Sequence, residues 1–433
     1  MTLDPSLRAS DGPALRRDLA LATWGLFAGL ALLMLAGGLF GTLLGVRSER
    51  VGLPTAVSSL ISACYYVGFL VGSRLTLSAL GRVGHIRVYA ALASVLAASM
   101  AAVGITGDAT AWALLRLATG LCTAGLYVVA ESWLNDLATN ENRGRLLAVY
   151  GVVTIAFFGI GQILLFTFDT RLITGFAVAA IITSLAVAPV ALSEEAVAPN
   201  LEESQHLSLR ELARVVPTGV WSCLLIGVAH GALSGMAAVY STRVGLSAAR
   251  IGLFVALPSL GGVALQWPIS AASDDLDRRA VGLASALGAA GVAALLLLGD
   301  PGEPMAFVLI GLLGGFSYPL YSIAGAYTND WVEPEHLNAA ASQLVTLYGM
   351  GAVMGPFAAA GAMIVIGPSG FFWALVGLHL LVAVFFFYRM LAWRAPLAKR
   401  PWDEVSLPAR AFFVPATIIA MGRRRRRRRR AGA

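Results

Sequence analysis

Residues 50–60 read RVGLPTAVSSL, and residues 243–253 read RVGLSAARIGL. An ungapped shift of 193 pairs Arg50, Val51, Gly52 and Leu53 with Arg243, Val244, Gly245 and Leu246, and it also pairs Gly38 with Gly231, Val46 with Val239 and Ser48 with Ser241. Nine of the 23 positions between 38–60 and 231–253 are identical, and Gly68 meets Gly261 beyond them. Further on, Asn135-Asp136 and Tyr150-Gly151 return as Asn329-Asp330 and Tyr348-Gly349 at shifts of 194 and 198, so the second copy carries a short insertion. A chance likeness between glycine-rich helices does not keep loop arginines in order. The chain is a doubled segment.

Composition says what was doubled. Of 433 residues, 58% are apolar and 13% charged, with mean hydropathy +0.77; soluble domains carry about a quarter charged residues. Apolar stretches lie near 20–46, 54–79, 86–106, 110–134, 145–168, 172–192, 217–241, 247–270, 280–299, 304–328, 338–365 and 369–392. Each is long enough to cross a hydrocarbon core of about 30 Å as helix, and none shows the alternation of a membrane barrel strand. Residues 1–19 are mixed polar, and the first apolar run is too long for a cleaved signal core, so it is expected to stay as the first span. Cys64, Cys122 and Cys223 lie singly in apolar segments and read as packing residues; no metal or cofactor is expected.

The expected architecture is therefore an all-α membrane protein of twelve transmembrane helices in two six-helix halves. Its parts are a segment 1–19, a bundle 20–192, a linker 193–216, a bundle 217–392 and a basic tail 393–433. With the amino terminus inside, internal loops and termini hold 24 of the 31 Lys+Arg and external loops five, which places both termini in the cytoplasm. Spans one and seven then rise in the same direction. Two halves in one orientation form a parallel pseudo-two-fold repeat, with its axis along the membrane normal. The linker sequence SLRELARVVP (208–217) is amphipathic and suits the membrane surface.

Several motifs carry a family resemblance. Residues 270–279 read SAASDDLDRR in the loop after span eight, and Gly81-Arg82, Gly84-His85 and Arg87 hold the repeat-related loop after span two. Span four holds Arg116-x-x-x-Gly120, and the next loop ends Glu141-Asn-Arg143-Gly144-Arg145, after GluSerTrpLeu at 131–134. These resemble the loop motif G-x-x-x-D-R-x-G-R-R, the intramembrane arginine motif and the E-x-R-G motif of the major facilitator superfamily, in a branch of bacterial inner-membrane permeases whose substrates are mostly unassigned. Gly81 stands where the family has its loop aspartate. The glycine-proline of the antiporter motif is absent from span five and appears in span eleven, at Gly355-Pro356. The resemblance implies a secondary transporter with a central cavity working by alternating access.

Charges inside a bilayer cost about 2.5–3.5 kcal/mol each on insertion scales, so those retained are functional candidates. Arg116 and Glu131 lie on span four, where Thr119, Thr123, Tyr127, Glu131 and Asn135 recur every four residues and Arg116 shares their side. That polar stripe is expected to face a cavity or a partner helix. His230 in span seven has the titration range of a proton switch. Gln162, Gln266, Tyr318 and Tyr321, with Tyr65, Tyr66 and Gln343, are candidates to line a solute site. Gly37, Gly41 and Gly45 recur every fourth residue and suit close helix packing.

On the cytoplasmic face, Arg82, Gly84, Glu141, Arg143, Arg145, Asp274, Arg278 and Arg279 are candidates for a charge-paired gate between the halves. Arg423 to Arg430 suit anionic lipid headgroups or a disordered end with no role, not nucleic acid. No phosphate-binding G-x-x-x-x-G-K-[ST] is present. The reading is a monomeric, non-enzymatic transporter of a small organic solute in the cell inner membrane, coupled to protons. Drug-like efflux and a non-transporting sensor of the same fold stay open.

Overall fold

The computed structural model describes residues 13–137, 143–193, 207–300, 302–333 and 336–392. Among these, twelve helices are long and apolar enough to cross a membrane: Thr23–Arg50, Thr55–Val83, His85–Ile105, Ala109–Leu134, Val149–Thr167, Thr174–Ala191, Pro217–Arg243, Ala248–Asp275, Arg278–Leu296, Pro304–Asn329, Ala339–Ile366 and Gly370–Ala392. They are numbered here as spans 1 to 12.

The repeated RVGL stretches are two copies of one helix stop. Gly52 and Gly245 take positive φ, 76° and 77°, a region open to glycine because it has no Cβ. Around each, the same two hydrogen bonds close the helix: Gly52 N–H to the Glu49 carbonyl and Leu53 N–H to the Ser48 carbonyl, then Gly245 to Thr242 and Leu246 to Ser241. This is the Schellman arrangement, which satisfies two carbonyls left over at a helix end.

Packing repeats as faithfully as the turns. A Cβ on Gly38 would overlap the Phe158 carbonyl, and one on Gly231 would overlap the Ala352 carbonyl, so span 1 meets span 5 as span 7 meets span 11. Gly68 lies against the Leu117 carbonyl and Gly261 against that of Gly311, so spans 2 and 4 pair as spans 8 and 10 do. Backbones approach this closely only where glycine removes the side chain. Spans 2 and 11, 5 and 8, and 1 and 7 then join the halves.

Span 10 is interrupted at Tyr318, because Pro319 has no N–H to continue the ladder. Carbonyls beside the break turn to side-chain donors: Ser285 Oγ reaches Phe316 at 2.7 Å, and His230 Nε2 reaches Ser317 at 3.0 Å. In the linker, Leu209–Val215 forms a short helix with a Ser208/Glu211 capping box. Ser208 holds the Glu211 carboxyl below its ordinary value, Leu212 is buried, and Arg210 and Arg214 are exposed.

Candidate functional site

A cavity of about 130 Å³ lies between the halves. Span 4 supplies Arg116, Thr119, Thr123 and Tyr127, with Tyr65 and Tyr66 from span 2, Phe40 and Gly41 from span 1, and Gln162 from span 5. The second half supplies Ser234, Ser259 and Tyr318. The four-residue stripe of span 4 thus faces the cavity over its first three turns. Ser234 reaches Tyr318 at 3.4 Å and also lies beside Tyr66, so this part of the wall crosses between halves.

Arg116 dominates the electrostatics. Its guanidinium carbon lies 4.6 Å from the Tyr65 ring centre and 5.5 Å from that of Phe40. Among the described residues, its Nε is buried with no hydrogen-bond acceptor, and none of those lining the cavity is acidic. Cation–π contact contributes about 0.5–2 kcal/mol, against roughly 2.5–3.5 kcal/mol to hold the charge in the membrane. Aromatic faces therefore offset only part of the cost.

The other candidates divide. Gln162 and Tyr318 line the cavity with Thr123 and Tyr127, and the Gln162 Oε1 is buried without a donor. The Tyr127 hydroxyl meets Met34 Sδ at 3.1 Å. Glu131 lies one turn beyond the cavity, where the Tyr150 hydroxyl donates to it at 3.2 Å. His230 stands behind the wall in a buried chain: Tyr348 hydroxyl at 3.1 Å on Nδ1, the Ser317 carbonyl on Nε2, and Ser317 Oγ in turn 2.8 Å from His379 Nε2. Both His230 ring nitrogens are used, and its ring stacks edge-on to Tyr318 at 4.9 Å. Gln266 donates to Ser270 at 3.2 Å, Tyr321 packs on Tyr348 in the second half's core, and Gln343 donates to the Leu207 carbonyl at 3.0 Å; none of these three lines the cavity.

Among the gate candidates, Asp274, Arg278 and Arg279 have contacts described within the second half. Arg278 is buried and bonds Asp330 at 2.7 Å and Asp274 at 3.2 Å; Arg279 bonds Asp277 at 2.8 Å and the Arg389 carbonyl at 2.9 Å. All of these partners belong to the second half. The start of span 9 thus lies against the ends of spans 10 and 12. At the repeat-equivalent place in the first half, His85 meets Ser132 at 3.1 Å, where Arg278 makes its charged contact. Arg82 is exposed and Gly84 caps span 2 at φ 84°. Glu141 and the Arg423–Arg430 run lie outside the described residues, and of Arg143 and Arg145 only the helical backbone is described.

Sequence reasoning missed Phe40, Ser234 and Ser259, and it missed His379. Small hydroxyls and a single phenylalanine leave no signal in an apolar span. His379 was visible as a mid-span histidine, and Asp330 as a repeat anchor without an assigned partner.

The family model described as Major Facilitator Superfamily matches residues 26–248 and 222–430. The chain belongs to that superfamily. It is 30% identical over 337 residues to the uncharacterized MFS-type transporter YcaD of Escherichia coli (strain K12 / DH10B), an alignment covering 76% of this chain and 86% of YcaD. Among solved structures, the nucleoside transporter NupG superposes with a TM-score of 0.69 at 12% identity, covering 86% of this chain and all of that one. A bacterial homolog of the human lysosomal transporter Spinster, in an inward-facing and occupied conformation, gives 0.66 at 14%, covering 86% and 98%. These structural likenesses establish the superfamily's fold. The superfamily membership makes the protein a multi-pass membrane transporter and not an enzyme.

Proposed function

We propose that this protein moves a small organic solute across the cytoplasmic membrane by alternating access, as a monomer with both termini in the cytoplasm and with proton coupling. The observation that carries the reading is a polar cavity enclosed between two halves and closed at one end by contacts between them. At the end remote from the termini, Arg243 bonds Glu49 at 2.7 Å, and Gly45 is pressed against Ala238. Ser62 Oγ joins the Gly235 carbonyl at 3.1 Å nearer mid-depth. Alternating access requires these contacts to part while the other end closes.

Glu131 is the acidic residue within span 4 and the proposed proton carrier, with the Tyr150 hydroxyl as a partner. His230 is read as the clamp on the broken span 10, since both nitrogens are engaged there. Anionic lipid is the proposed partner of the arginine tail.

Flux into proteoliposomes tests the reading. A solute that stabilises the purified protein is expected to accumulate, whereas binding without flux identifies a sensor of the same fold. Glu131→Gln is expected to abolish accumulation driven by a pH gradient while leaving solute exchange measurable. Full gradient-driven accumulation in that variant would remove Glu131 from the proton path.

A further inference from the structure

We infer that the solute is a small organic monoanion, a carboxylate on an apolar body about one ring in size, gripped by Arg116. This rests on the transport reading above and names its substrate class. Among the described residues, Arg116 is the sole charged one lining the cavity. Its guanidinium donates no hydrogen bond to any described residue, and its Nε is buried and unsatisfied. It does not hold neighbouring backbone carbonyls, the structural task such an arginine often performs. The acidic residue within span 4, Glu131, lies 15 residues on, about 22 Å along the axis, and is engaged by Tyr150. A fixed cation in a cavity without an acid leaves the counter-charge to whatever enters.

The remaining chemistry narrows the class. A guanidinium presents a planar set of donors that a carboxylate accepts in pairs. A phosphate dianion brings two charges to one cation and leaves the surplus in a low-dielectric site, so a monoanion fits better. Beside the hydroxyls and Gln162, the wall has an apolar part formed by Leu33, Met34, Phe40, Phe158 and Leu233, which suits an apolar body. A volume of about 130 Å³ is close to the ~150 Å³ of an apolar cavity that accepts benzene. At the closed end, Arg47, Arg50 and Arg171 line a separate recess, with Arg47 donating to the Thr170 carbonyl at 3.2 Å. Positive charge there favours arrival of the same class.

The test uses the full-length protein in detergent and in proteoliposomes, with matched probes: benzoate and benzamide, hexanoate and hexanamide, with phenyl phosphate and benzylamine as charge controls. Binding is read by thermal shift and calorimetry, and transport by counterflow. At least one carboxylate is expected to bind, with its amide, the dianion and the amine weaker. Arg116→Gln is expected to weaken carboxylate binding on the order of tenfold to a hundredfold, and Arg116→Lys to keep part of it. The carboxylate–amide comparison on the wild type holds whatever the variants do to folding. Failure of every carboxylate to bind, an amide that binds as tightly, or unchanged carboxylate affinity in Arg116→Gln would overturn the inference. A carboxylate that binds through Arg116 but never crosses the membrane supports this site and removes the transport reading. Robust flux of a neutral or cationic solute, at the wild-type rate in Arg116→Gln, does the reverse.

Discussion

Gly38 and Gly41 stand three residues apart on span 1 and do opposite things. A Cβ on Gly38 would overlap the Phe158 carbonyl, whereas one on Gly41 meets nothing within 4 Å and looks into the cavity. Gly38→Ala is expected to cost about 1–3 kcal/mol, as overpacking of a tight contact does, and to lower the melting temperature. Gly41→Leu is expected to melt close to the wild type but to lose solute binding, because the added side chain occupies the solute's space. Paired melting and binding curves check both, and a Gly41→Leu protein that binds normally would place the site elsewhere. The four-residue spacing of Gly37, Gly41 and Gly45 marked a face without saying what lay opposite it. Of the three, Gly45 alone is tightly packed, against Ala238. The repeat alignment had already picked out Gly38, because its partner Gly231 has the same neighbour in the other half.

Among the ion pairs of the described residues, the most buried ties the start of span 9 to the end of span 10. Arg278 and Asp330 are 1% and 0% exposed, and removing one member of such a buried pair strands the other charge, at about 3–5 kcal/mol. Arg278→Ala is therefore expected to lower thermal stability sharply. Asp274, 31% exposed, is expected to cost under about 1 kcal/mol as Asp274→Asn, because solvent screens it. Equal losses in the two variants would show that Asp330 is not the principal partner. The sequence revealed that charges gather on this face, since arginine and aspartate in short loops stand out against apolar spans. It did not reveal that Arg278 would be buried against Asp330, because partner choice depends on how helix ends lean together in space.

Across the whole molecule, the contacts between the halves at the end remote from the termini include, among the described residues, one ion pair, Glu49 with Arg243, whose side chains are 10% and 26% exposed. A pair of this exposure contributes at most about 1 kcal/mol, which suits a contact that must break in every cycle. Glu49→Arg is expected to raise labelling of a cysteine placed at Ser234 from the outer side, and the exchanged double variant Glu49→Arg/Arg243→Glu to restore wild-type labelling. Labelling that stays unchanged in both would deny the pair any part in closing that end. Twelve spans and two halves were legible because length, apolarity and the returning RVGL stop survive in one dimension. The far wall of the cavity was not, since Ser234 and Ser259 look like any small residue in a span. The glycine contacts also show what the duplication left unequal. Gly120 lies on the Tyr65 carbonyl as Gly314 lies on that of Pro258, so one turn earlier Arg116 corresponds to Ile310, which is wholly buried. Two identical ancestral subunits would have faced each other with matching walls. Fusion into one chain freed the walls to differ: the cavity has a cation on one side, and the mirror position holds an isoleucine that does not line it, so an anionic guest has one way round to sit.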